Sequence, residues 1–182
     1  MDRMPQYSSF IDAIVSNTSL LKKLRPSELS DPYAAVRIGE AEDGQLTDGK
    51  AITNASLFPL VRAALLYVVD SIDKSYAIAN SIRDDTAVYW CGMIHRREGD
   101  FFNARNCFRR VGTHPVFGVL HSAASVVSAD VAKQWDWDPY LFVGMCEQEK
   151  YGDNKHVGEL LKVQRIEFDV MFDYVWRKSI AT

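Results

Sequence analysis

The sequence predicts an all-α, single-domain fold, a bundle of about six to eight helices, on three observations. Apolar residues recur at three- and four-residue spacing through most of the chain, no segment alternates apolar and polar residues, and Ser, Asp, Gly and Pro stand where helices would begin and end. The chain has 182 residues, 47% of them hydrophobic, and no change of composition separates two cores. That length suits one domain over 1–182, with a core large enough to need neither disulfides nor metal.

The elements follow in order. Phe10, Ile11, Ile14, Leu20, Leu21 and Leu24 mark a first helix that Pro26 stops. From Arg25 to Asn54 periodicity disappears and glycines sit among acids, which predicts a long loop or irregular arm over 25–54. Leu57 through Ile82 reads as one helix striped by Leu60, Ala64, Leu65, Val68, Ile72, Tyr76 and Ala79, with Pro59 in its first turn. Asp84-Asp85-Thr86 offers an N-cap for a helix over Ala87–Glu98. Gly99 suits a left-handed C-terminal position, and Asp100 suits the cap of a helix over Phe101–Arg110. Val116 to Lys133 reads as a packed helix, and Asp138-Pro139 starts a short one reaching about Gln148. A turn at Tyr151-Gly152-Asp153-Asn154 leads to a last helix from about Lys155 to Arg177. Trp90, Trp135, Trp137 and Trp176 read as core anchors.

Composition narrows function mainly by exclusion. A formal charge of −3 makes no global case for a nucleic-acid partner. No apolar run is long enough for a membrane span, and the N-terminus lacks a leader pattern. Cys91, Cys107 and Cys146 are odd in number without CxxC spacing, so a reducing, cytoplasmic home is expected. Oligomeric state is not readable.

Residues 88–115 resemble one tetratricopeptide repeat, with Gly92 and Ala104 as the small contacts and Val88, Phe101, Phe108 and Val111 around them. A single unit cannot build a solenoid, so a globular bundle holding one repeat-like hairpin is expected. The same stretch resembles an uncharacterised family of small microbial and fungal proteins. The residues carrying that likeness are Tyr89-Trp90, His95-Arg96-Arg97-Glu98, Asp100, Asn103, Phe108-Arg109-Arg110-Val111-Gly112 and His114-Pro115-Val116-Phe117. It extends over about 57–174, and Gln164 and Glu167 fall in a helix similar to the family's last one. The chain departs from the family at Tyr76 and Cys91, where histidine is usual, and at Asn106-Cys107, where an aromatic pair is usual. The resemblance implies a helical fold and points to the hairpin; it carries no activity.

Three chemistries compete on that hairpin. Arg96, Arg97, Arg105, Arg109 and Arg110 could hold a carboxylate or phosphate, since guanidinium donors form a rigid fork. An internal ion-pair network with Glu98, Asp100, Asp84 and Asp85 is the heavier reading, with some arginines left for a ligand. On it, Arg109→Ala would strand a buried carboxylate. Gln164 and Glu167 read first as a polar contact to the same arginines. His95, Glu98 and His114 could be acid–base groups, although for His114 fixing the turn before Pro115 is the heavier reading. Cys91, His95 and Glu98 share one helical face and are competent metal ligands, with core packing as the plainer account.

The leading expectation is therefore a binding module without a cofactor. It would recognise an anionic small molecule or an acidic protein segment through Arg96, Arg97, Asp100, Arg109, Arg110, Gln164 and Glu167. The rival is a small cytosolic enzyme for hydrolysis or proton transfer using His95, Glu98 and His114, with a metal at Cys91, His95 and Glu98 as an added possibility.

Overall fold

A computed structural model describes residues 6–17, 19–152 and 155–181. The N-terminal residues 1–5 and the turn residues Asp153 and Asn154, both read above from sequence, lie outside them. The described residues form eleven helices: α1 Ser9–Val15, α2 Pro32–Glu40, α3 Asp43–Thr47, α4 Pro59–Val68, α5 Ile72–Ala79, α6 Asp85–Glu98, α7 Phe101–Val111, α8 Phe117–Ala124, α9 Ala129–Ala132, α10 Pro139–Tyr151 and α11 Val157–Ser179. The all-α expectation holds. Among the described residues, β pairing is confined to an isolated bridge, Ile52 to Ile180, which ties the chain before α4 to the end of α11.

The helix count exceeds expectation for local reasons. Segment 25–54 holds α2 and α3 instead of being irregular throughout. Asp31 caps α2 through Ala34 N–H, Pro32 occupies its first turn, and Glu42 with Gln45 forms a capping box on α3. At nine and five residues these helices are too short for periodicity to show. The first helix stops at Val15, well before Pro26.

The stretch over 57–82 divides at Val69-Asp70-Ser71, where Asp70 takes a left-handed φ of 64° and Ser71 N–H reaches back to Leu66 O. Similarly, the 116–133 stretch breaks after Ala124, and Ser128 caps α9 through Val131 N–H. In both places apolar spacing runs on across the break, so a continuous stripe conceals a corner.

Around the central hairpin the local signals act as read. Asp84 accepts from Thr86 N–H at the start of α6, Gly99 ends it at φ 80°, and Asp100 accepts from Asn103 N–H to start α7. Glycine is favoured at 99, because that φ strains a residue with a Cβ. Gly92 on α6 lies beneath the Phe108 ring of α7, where a Cβ would stand 2.7 Å from ring carbons.

Helix α11 crosses the body and packs on α4, α8 and α10, while α5 and α7 flank α6 on its other sides. The centre is aromatic. Tyr67 of α4 meets Trp90 of α6 edge-on at 5.5 Å, and Phe168 of α11 stacks on Tyr67 and on Phe172. Trp90, Trp137 and Trp176 are buried as expected, but Trp135 is 100% exposed. It falls in the polar corner before α10, where no neighbouring helix covers it.

Gly92→Ala is expected to destabilise by about 1–3 kcal/mol, the usual cost of overpacking a filled core. Urea unfolding would show it as a lower midpoint at unchanged slope.

Candidate functional site

Consecutive residues on a helix point about 100° apart, so His95, Arg96 and Arg97 leave α6 in three directions. Arg96 points at α11. Its two terminal nitrogens meet both carboxylate oxygens of Glu167, Nη1 to Oε1 at 3.1 Å. The Phe142 ring of α10 covers its guanidinium at 4.3 Å. Tyr89 OH donates to Glu167 Oε1 at 2.9 Å and accepts from Trp137 Nε1–H at 2.7 Å. Burial, then the adjacent carboxylate, push the Tyr89 phenol well above 10.0, so it remains a donor.

Arg97 points at the corner between α4 and α5. It donates to Asp70, to Tyr67 O at 3.0 Å and to Lys23 O at 3.2 Å. The Tyr67 carbonyl belongs to the last turn of α4, so the guanidinium serves as that helix's C-terminal cation.

These positions agree with the heavier reading of an internal ion-pair network, including the contact of Glu167 with the arginines, and correct the ligand-binding one. Arg96 and Arg97 are 1% and 0% exposed, Glu167 is 0% and Gln164 is 1%. Gln164 donates to Lys23 O from within the same interior. None of the four can reach a ligand, and their partners are not the acids nearest in sequence. Glu167 and Asp70 neutralise the two arginines, whereas Asp84 and Asp100 are spent capping helices.

Asp100 is also held by Asn103 Nδ2 at 2.7 Å, and those hydrogen bonds, the backbone one first, lower its carboxyl pKa. Arg105 pairs with Glu147 of α10. Arg109 is exposed and bonds Asn106 Oδ1 at 3.2 Å, so it strands no buried carboxylate.

His114 takes the turn-fixing place that was its plainer reading, not the acid–base one. It is buried against Tyr89, Phe117 and Tyr174, with Nδ1 accepting from Val116 N–H at 3.4 Å and Nε2 3.2 Å from Thr86 Oγ1. Burial lowers its pKa. It is a buried group that fixes the turn before α8.

His95 remains available. Its Nδ1 lies 3.0 Å from Glu98 Oε2, and its ring tilts against Tyr76 of α5 at 4.9 Å. It borders an open cleft of about 740 Å³ walled by α5, α6 and α7. Cys91 and Cys107 face this cleft, as do Asn80, Asn103 and Asn106. Arg83 and Arg110 stand at its edge, and neither has a hydrogen-bond or ion-pair partner among the described residues.

Sequence reasoning included Arg110, His95 and Cys91 but missed Arg83, Asn80, Asn106 and Cys107 as site residues. Only the antiparallel return of α7 beside α6, with α5 opposite, brings them together. The odd polar stretch Asn80-Ser81-Ile82-Arg83 was the available signal.

Metal chemistry finds little support in this arrangement. Among the described residues no three His, Cys, Asp or Glu side chains converge as a metal site. Burial pushes the Cys91 thiol up to about 12, which disfavours the thiolate a metal or a nucleophilic step requires. No helix of the described residues is long and apolar enough to cross a membrane. Comparisons with family models, curated proteins and solved structures find no match for the chain.

Two outcomes follow. Arg96→Ala should cost about 3–5 kcal/mol by leaving the buried Glu167 charge without a cation, while Arg109→Ala stays within about 0.5 kcal/mol. Replacing Arg96 and Glu167 together by Met and Leu should recover most of the loss in chemical denaturation.

The second concerns pH. Because the folded pKa of His114 lies below its ordinary 6.5, the unfolded chain takes up the proton first. Its contribution is full above that value and shrinks as pH falls toward the folded pKa. Melting temperatures from pH 7.5 to 5 should fall more steeply in the parent than in His114→Gln.

Proposed function

We propose that this protein is a helical binding module whose α5–α7 cleft takes a small molecule bearing a carboxylate or phosphate. The observation that carries this reading is the state of the arginines. Arg83 and Arg110 border the cleft without protein partners, whereas every other described arginine engages a carboxylate, a carbonyl, an amide or an aromatic ring. A guanidinium with open donors beside a concave surface suits a planar or tetrahedral anion. The cleft volume lies in the range of small-ligand sites, which favours a small molecule over an acidic protein segment. Asn80, Asn103 and Asn106 add amide donors and acceptors for the uncharged part of the ligand. Asp85 on the same rim favours a ligand that carries hydroxyl or amino groups beside its anion.

Calorimetric titration with inorganic phosphate and citrate tests the site. Saturable binding that weakens about tenfold or more in Arg110→Ala, and again when Arg83→Ala is added, is expected for charge-assisted hydrogen bonds. Binding unchanged in both variants, or absent in the parent, would refute it.

A second reading rests on the Glu98 contact. A carboxylate on His95 Nδ1 selects the tautomer whose Nε2 carries a lone pair, the arrangement of a general base. Turnover of an aryl phosphate or aryl ester that drops at least about a hundredfold in His95→Gln would support catalysis. Equal rates with and without His95 would leave binding alone.

A further inference from the structure

A second concavity shares no residue with the cleft. It is a groove of about 620 Å³ between the N-terminal half of α11, the loop before Pro26 and the turn after α8. Leu20 and Leu21 are buried in it, and half-buried Val127, Leu161 and Ile166 line it. Leu21 takes a left-handed φ of 57°, a costly conformation for leucine. Lys22 and Lys162 border the groove, and neither has a hydrogen-bond or ion-pair partner among the described residues. Arg165, the third cation there, is already engaged by Asp169 and by Val15 O. No lining residue is acidic.

We propose that this groove binds a free single-chain alkyl carboxylate, with the hydrocarbon along α11 and the carboxylate at Lys22 and Lys162. Charge complementarity sets the sign of the head group, since two ammonium groups without a partner among the described residues flank an apolar floor with no acidic residue in its described lining. Length sets the class of occupant. The α11 wall from Gly158 to Ile166 covers two helical turns, about 12 Å at 1.5 Å per residue. That is short for a protein partner, whose stable interface needs about 800 Å² on each side, and sufficient for a medium alkyl chain. At one end Gly158 leaves the groove open, because a Cβ there would meet nothing within 4 Å.

Calorimetry of the full chain with octanoate, decanoate and dodecanoate, each below its micellar concentration, tests the site. One-to-one binding is expected, strengthening about two- to fourfold for each methylene buried. The double substitution Lys22→Glu and Lys162→Glu should weaken dodecanoate binding at least tenfold. Gly158→Leu, which enters open space on an exposed face, should fill the groove and abolish binding without lowering the melting temperature. Dodecyltrimethylammonium binding as tightly as dodecanoate would overturn the proposal, as would absence of saturable dodecanoate binding. Association with phosphatidylglycerol vesicles without binding of free dodecanoate would also overturn it, and would make the groove a membrane contact.

Discussion

Two consecutive buried arginines inside one turn of α6 constrain how its neighbours can meet it. Arg96 ties α6 to α11 through Glu167, and Arg97 ties it to the end of α4 and to Lys23 of the N-terminal loop. Each charge is out of water, so each must find its counter-charge or carry a penalty of several kcal/mol. An apolar core of the same volume would tolerate sliding and rotation. The terminal guanidinium nitrogens of both arginines meet their carboxylates only where α4, α6 and α11 stand in this relation. The aromatic stack of Tyr67, Trp90 and Phe168 fills the space that this relation leaves.

The cleft is a consequence of the same turn. With Arg96 and Arg97 directed inward, the residue before them is forced outward between α5 and α7. His95 is therefore presented by the helix that carries both buried arginines. Asp100 and Gly99 return α7 alongside within two residues, which places Asn103, Cys107 and Arg110 on the facing wall. The rigidity of the hairpin and the openness of the cleft thus have one origin. A site so mounted can hold an anion with little loss of conformational freedom, which is how preorganised sites gain affinity.

The groove beside α11 is built differently. Its floor comes from a loop and a turn instead of paired helices, and its character is apolar with a cationic edge. The two concavities therefore suit different chemistries, one polar and compact, the other hydrocarbon with a charged end. Nothing in their placement requires them to act together.

The hairpin was readable residue by residue because its signals are local. Asp84, Gly99 and Asp100 act on backbone groups within four positions of themselves, and their chemistry is the same in any fold. The helical class was readable for a similar reason, since apolar spacing reports which face of a helix is covered. Arginine carries no such local meaning. Arg96, Arg97, Arg109 and Arg110 form two identical dipeptides in sequence, yet the first pair is sealed and the second exposed. Their fates depend on Glu167, which is 71 positions from Arg96, and on Asp70, which is 27 positions from Arg97. The corner at Asp70 was hidden for the same reason, because its support comes from a side chain on another helix. Local hydrogen bonding decides where a helix starts and stops when the partner is a neighbour in the chain. Which charges are buried, and which are left facing a cavity, is decided by who meets whom across the folded body.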